Sequence, residues 1–96
     1  MGSYIVLAKF TEQGVRGVKD SSKRRAAARE LLASVGGEIK QAYLTMGKYD
    51  LVIVAEAPSD EVMATFMLKM AAIGNLSTQT LRAFDEAATD ELTASL

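Results

Sequence analysis

Tyr43-Leu44-Thr45-Met46-Gly47-Lys48-Tyr49-Asp50-Leu51-Val52-Ile53-Val54-Ala55-Glu56-Ala57 reads as two strands joined by a turn. The run after Asp50 is β-branched and apolar, and the run ending at Met46 mixes aromatic and β-branched residues, both strand signatures. Between them, Gly47-Lys48-Tyr49-Asp50 breaks the pattern. Gly47 is the expected structural turn residue, because glycine enters the φ > 0 region without steric cost.

Working outward, Tyr4 to Phe10 is a first strand, interrupted by Thr11-Glu12-Gln13-Gly14-Val15-Arg16-Gly17, which has room for a short helical turn. Ser21 or Ser22 is the expected cap of a helix running to about Val35, with Ala27, Ala28, Leu31, Leu32 and Val35 at helical spacing. Gly36-Gly37 closes it. The second strand is expected from about Glu38 to Met46 and the third from about Asp50 to Ala57. Pro58-Ser59-Asp60-Glu61 opens a second helix, with acids at the positive end of its dipole. Val62, Met63, Phe66, Met67, Met70 and Ile73 form its apolar face, and Gly74-Asn75 ends it. A fourth strand covers about Ser77 to Phe84. The reading divides the chain into a domain over 1–85 and an acidic, alanine-containing tail over 86–96, with room for one loose helix.

The order βαββαβ is the ferredoxin-like split motif, an α+β fold with a four-stranded antiparallel sheet. Its spatial order, 4-1-3-2, makes strands one and three central and puts both helices on one face. A lone domain should then be polar on the other face. Strand three instead alternates Leu51, Ile53 and Ala55 with Val52 and Val54, and strand one sets Ile5 and Leu7 opposite Tyr4, Val6, Ala8 and Phe10. Central strands apolar on both sides imply a covered open face, and a second copy packed sheet against sheet supplies the cover. A homodimer, or a higher even oligomer, is expected. Periodicity does not say which face carries the helices.

Composition agrees. A chain of 96 residues, 49% apolar, buries only about 60–65% of its unfolded surface, so its own core is marginal. No cysteine and no histidine removes disulfides, thiolate chemistry and the commonest general base and metal ligand. Among the remaining carboxylates the pairs Asp60-Glu61, Asp85-Glu86 and Asp90-Glu91 are adjacent and do not converge on one ion, so no metal and no cofactor is expected. A net charge of −1, with no aromatics interleaving the basic run, argues against nucleic acid. No apolar run spans a bilayer, and Tyr4–Phe10 lacks the cationic flank of a signal peptide, so a cytoplasmic protein without a membrane partner is expected.

The tetrad Gly47-Lys48-Tyr49-Asp50 is followed by Glu56-Ala57-Pro58, then Gly74-Asn75, and then Thr78, Thr80, Leu81, Arg82, Ala83 and Phe84. With Thr11-Glu12-Gln13-Gly14 and Arg25, this set resembles the GYD domain family over roughly Tyr4 to Phe84. The resemblance implies a ferredoxin-like fold of the dimeric α/β-barrel type. It implies no activity, because the superfamily includes cofactor-free monooxygenases, small isomerases and ligand-sensing domains, and fold alone does not choose among them.

Several side chains are candidates for ligand binding. Tyr49 and Asp50 could orient a polar ligand or form an acid–base pair; the structural alternative has Asp50 bonding backbone amides while Tyr49 packs over the strand end. Lys9 and Arg82 are single charges in otherwise neutral strands and need a partner or a wet cleft. With Tyr43 they complete the candidate ligand-binding set. Arg82 also suits edge snorkelling or an ion pair across a dimer. Six of the eleven basic residues, Arg16, Lys19, Lys23, Arg24, Arg25 and Arg29, lie within fourteen positions. Lys23, Arg24 and Arg25 fall near a helix start, where cations oppose the macrodipole and an anion reverses the cost, so these three are anion-binding candidates. The stripe Met63, Met67, Met70 fits ordinary core or an adaptable apolar pocket.

Three functions fit these residues. The leading one is a non-catalytic homo-oligomeric module that binds a small molecule or a protein. The second is a cofactor-independent enzyme, of monooxygenase or isomerase type, using Asp50 or a tyrosine as base and Arg82 or Lys9 to hold an anionic intermediate. The third is a structural assembly protein. The missing His and Cys weigh against catalysis.

Overall fold

The computed structural model describes every residue from Met1 to Leu96. Its elements are β1 (Gly2–Phe10), α1 (Glu12–Arg16), a 3-10 turn (Val18–Asp20), α2 (Ser21–Ala33), β2 (Glu38–Leu44), β3 (Leu51–Ala57), α3 (Asp60–Ile73), β4 (Leu76–Ala83) and α4 (Glu86–Ala94). The strands form one antiparallel sheet in the order β2-β3-β1-β4. This is the expected α+β, ferredoxin-like arrangement, with α1 and α4 added.

Local chemistry accounts for most boundaries. Thr11 caps α1 by accepting from the Gly14 amide at 3.0 Å, Ser59 caps α3 through the Val62 amide at 3.2 Å, and Asp85 caps α4 through the Ala88 amide at 2.8 Å. Gly36 (φ 88°) and Gly74 (φ 89°) take the left-handed positions that end α2 and α3, a conformation costly for any residue with a Cβ.

Two expectations about turns are corrected. Neither Ser21 nor Ser22 caps α2: the residue before the helix is Asp20, with no side-chain cap, and the Ser21 hydroxyl donates to the Val18 carbonyl at 2.6 Å. The 3-10 turn runs directly into the helix and supplies the geometry that a cap would have imposed. Gly47 lies in the β2–β3 connection, but its φ is not positive. That connection reverses over residues 45–50, where the Thr45 amide donates to the Asp50 carbonyl at 2.8 Å and the Thr45 hydroxyl to the Tyr49 carbonyl at 2.6 Å. A loop this long spreads the reversal over several residues and needs no left-handed position at Gly47.

Strand register settles the faces. Tyr4, Val6 and Ala8 of β1 and Ile53, Ala55 and Ala57 of β3 lie under α2 and α3, packed with Leu32, Met63 and Phe66. The other face has no helix. There Ile5 stands opposite Val54 and Leu7 opposite Val52, flanked by Gln41 and Tyr43 on β2 and by Gln79 and Leu81 on β4. Only eleven of the 96 residues are buried, so the core under the helices is small for a chain this apolar. The C-terminal helix α4 has almost no packing against other elements, and Phe84 and Leu92, each 53% exposed, face solvent. No helix is long and apolar enough to cross a membrane.

Candidate functional site

The five ligand-binding candidates do not converge. Asp50 is tied into backbone: its carboxylate accepts from the Phe10 amide at 2.9 Å, and its own amide donates to the Ala8 carbonyl at 2.8 Å. These two bonds fasten the β2–β3 loop to the end of β1, just past Ala8, the last residue of β1 paired with β3. Lys9 follows Ile5 and Leu7 onto the helix-free face, where its Nζ lies 5.7 Å from the centre of the Tyr49 ring; Lys48 Nζ lies 5.8 Å from the same ring. The Tyr49 hydroxyl donates to Gln79 Oε1 at 3.0 Å. Tyr49 is thus a cover over the strand ends, held by two ammonium groups on its π system. Tyr43 sits half-exposed in the same row as Val52 and Leu7.

Arg82 is on the opposite face, at the far end of the sheet. It pairs in register with Tyr4 and lies over the Tyr4 ring at 5.5 Å and the Phe84 ring at 4.7 Å. Its Nη1 donates to the Ser3 carbonyl at 3.2 Å and its Nε is 3.7 Å from Asp60 Oδ1. The same carboxylate oxygen accepts a hydrogen bond from the hydroxyl of the buried Tyr4. Burial, and then the bond to Asp60, push the Tyr4 phenol above its ordinary value, which makes it a persistent donor. The ion pair of Arg82 is therefore made within its own chain.

A third arrangement is the largest open space in the molecule. Between the sheet and helices α2 and α3 lies a cavity of about 600 Å³. Its walls are mainly apolar, including Val6, Ile53, Phe66, Met67 and Met70, and Arg24, Arg25 and Arg29 of α2 border it. A smaller space of about 200 Å³ lies between α2 and α3, against Leu31, Val35, Val62 and Phe66. Of the methionine stripe, Met63 belongs to the buried core, and all three methionines border the large cavity. Of the ligand-binding candidates only Tyr43 borders it, at the β2 edge and between Ala42 and Leu44, although its register row is that of the helix-free face; of the anion-binding candidates Arg24 and Arg25 border it and Lys23 does not.

The guanidiniums are positioned by backbone carbonyls. Arg24 Nη1 donates to the Gly14 carbonyl and Arg29 Nη1 to the Ile39 carbonyl, each at 2.9 Å. Neither bond neutralises the charge, and none of the three arginines has a carboxylate within ion-pair distance. Arg29 stood in the basic run but outside the anion-binding set. Its signal was its spacing, one helical turn beyond Arg25 and so on the same side of α2. Tyr4 and Asp60 gave no separate signal: they are 56 positions apart and meet only because β1 passes beneath the start of α3.

The chain is similar to known proteins over most of its length. A 33% identical relative from Thermus thermophilus is named "Glutamine synthetase and cystathionine beta-lyase binding protein"; the match covers 84 residues, 86% of this chain and 88% of the relative. Among solved structures, FFRP-DM1 superposes with a TM-score of 0.59 at 24% identity, covering 88% of this chain and all of that one. A hypothetical protein from Pyrococcus horikoshii superposes at 0.58 with 24% identity, covering 90% and 93%. At such identities these two structures establish the fold alone. The model of the GYD domain matches residues 4–93, so it takes in nearly all of the sheet, α2, α3 and nearly all of α4: the chain belongs to the GYD domain family.

Proposed function

We propose that this chain is a non-catalytic, homodimeric binding module whose partner is a protein. The observation that carries the dimer is the helix-free sheet face, where the half-buried Ile5, Leu7, Val52 and Val54 occupy the two central strands with no helix above them. A core of nine buried hydrophobic residues leaves much of the chain's apolar content unused, and a second copy packed on the helix-free face would bury it. Exposed Phe84, just before α4, and exposed Leu92 on it point the same way.

A binding role is supported over acid–base chemistry by what lines the large cavity, which includes arginines but no Asp, Glu or Lys side chain. The protein partner is supported by the relative named for binding glutamine synthetase and cystathionine β-lyase. Two measurements test the reading. Sedimentation velocity with native mass spectrometry should give an even-numbered oligomer, and a clean monomer at all concentrations would overturn the dimer. Co-sedimentation with glutamine synthetase from the organism that encodes the chain should give a complex. No complex with that enzyme or with cystathionine β-lyase would overturn the proposed partner.

A further inference from the structure

We propose that the cavity between the sheet and helices α2 and α3 is a binding site for an amphipathic organic carboxylate, with its apolar body inside and its carboxylate at Arg25 and Arg29. This site goes beyond the protein-binding role, and its readout is independent of oligomeric state and partner.

The size comes first. About 600 Å³ falls within the range of small-molecule sites, roughly 300–1,000 Å³, and far exceeds the voids that packing defects leave in a domain this small. The walls come second. Val6, Ile53, Phe66, Met67 and Met70 offer no hydrogen-bonding group, so the body of a ligand must be apolar to replace water there. Methionine is unbranched and polarisable and reshapes around an occupant, which suits a flexible aliphatic chain.

The charge decides the head group. Arg24, Arg25 and Arg29 border the cavity, no carboxylate does, and none of the three makes an ion pair. A guanidinium has five N–H donors, and those of Arg24 and Arg29 each have one bonded to a backbone carbonyl, leaving the fork and the charge available. Arg25 and Arg29, one turn apart, present two such forks on one side of α2. Planar forks match a carboxylate bidentately. A monoanion also loses less hydration than a doubly charged phosphate when its head lies against an apolar wall.

The probe is dodecanoate, kept below its micellar concentration and titrated into the intact chain by calorimetry. Methyl spectra of methionine-labelled protein report the location. Dodecanoate should bind saturably and shift the methyl signals of Met63, Met67 and Met70, leaving the exposed Met1 and Met46 unmoved. Dodecyltrimethylammonium, equal in chain length and opposite in charge, should bind at least tenfold more weakly. The double variant Arg25→Gln, Arg29→Gln should lose at least tenfold in affinity for dodecanoate while keeping a folded circular-dichroism spectrum. Equal binding of the cation, unchanged affinity in the double variant, or shifts confined to Met1 and Met46 would each overturn the site.

Discussion

A Cβ placed on Gly14 would overlap the carbonyl oxygen of Asn75 and lie 2.9 Å from its carbonyl carbon. The backbone of α1 touches the backbone of the α3–β4 corner at that point. Around this contact the Thr11 amide donates to the Asn75 carbonyl at 3.1 Å, the Thr11 hydroxyl to the Gly74 carbonyl at 2.6 Å, and Gln13 Nε2 to the Ile73 carbonyl at 2.9 Å. Two motifs about sixty residues apart, Thr11-Glu12-Gln13-Gly14 and Gly74-Asn75, form one clamp that closes the end of the helical layer.

Gly14→Ala is therefore expected to destabilise the chain by about 2–3 kcal/mol, because the obstructing atoms are backbone and cannot rotate away. Urea unfolding followed by circular dichroism measures the loss. A midpoint equal to that of the unsubstituted protein would mean that the corner opens at no cost.

Gly47→Val should behave oppositely. Gly47 has no positive φ, and nothing lies within 4 Å of an added Cβ, so the change should stay within about 0.5 kcal/mol. The same unfolding experiment checks it, and a loss above about 1 kcal/mol would count against the loop geometry.

Asp50→Ala should cost about 1–2 kcal/mol, since it leaves the half-buried Phe10 amide without its acceptor. Asp50→Asn, which keeps a carbonyl oxygen in place, should recover most of the loss. Equal effects of the two substitutions would show that charge, rather than this bond, is what the position supplies.

Val54→Asp and Ile53→Asp separate association from folding. Val54 lies on the helix-free face and Ile53 packs against the core, so the first should give a folded monomer and the second should unfold the chain or weaken it by about 3 kcal/mol or more. Sedimentation and circular dichroism read the two outcomes. A Val54→Asp protein that stays dimeric would remove sheet-face pairing.

The Tyr4 phenol sets a pH dependence. Its folded value is raised by burial and then by its bond to Asp60, so the native state keeps that proton to higher pH than the unfolded chain does. The stability it contributes is fully present below the unfolded value near 10 and is lost as pH rises through the folded value. In ultraviolet titration one of the three tyrosines should ionise late, and Tyr4→Phe should remove that step. Simultaneous ionisation of all three would contradict the Tyr4–Asp60 bond.

Much of this molecule is legible in its residues. Alternation in Tyr4–Phe10 and Leu51–Ala57, helical spacing across Ala27–Leu32 and Val62–Met70, and glycines after both helices were enough to derive the βαββαβ order and the two-sided apolar character of the central strands. These are local signals, because strand and helix periods are set by backbone geometry within a few residues. The turn at Gly47 misled because glycine permits a left-handed conformation without requiring it, and the length of the loop removed the need.

Everything that depends on which distant residues meet was decided by tertiary structure. Register assigned Tyr4 rather than Ile5 to the helix side, separated Arg82 from Lys9 and Tyr49, and turned Asp50 into a backbone fastener. The site followed the same logic: Arg25 and Arg29 were visible as charges, but the cavity beside them exists only because α2 and α3 rest on the sheet without filling the space between. Periodicity specifies the face on which a side chain lies, whereas a cavity is the volume left over after many such faces pack, and no single segment encodes it.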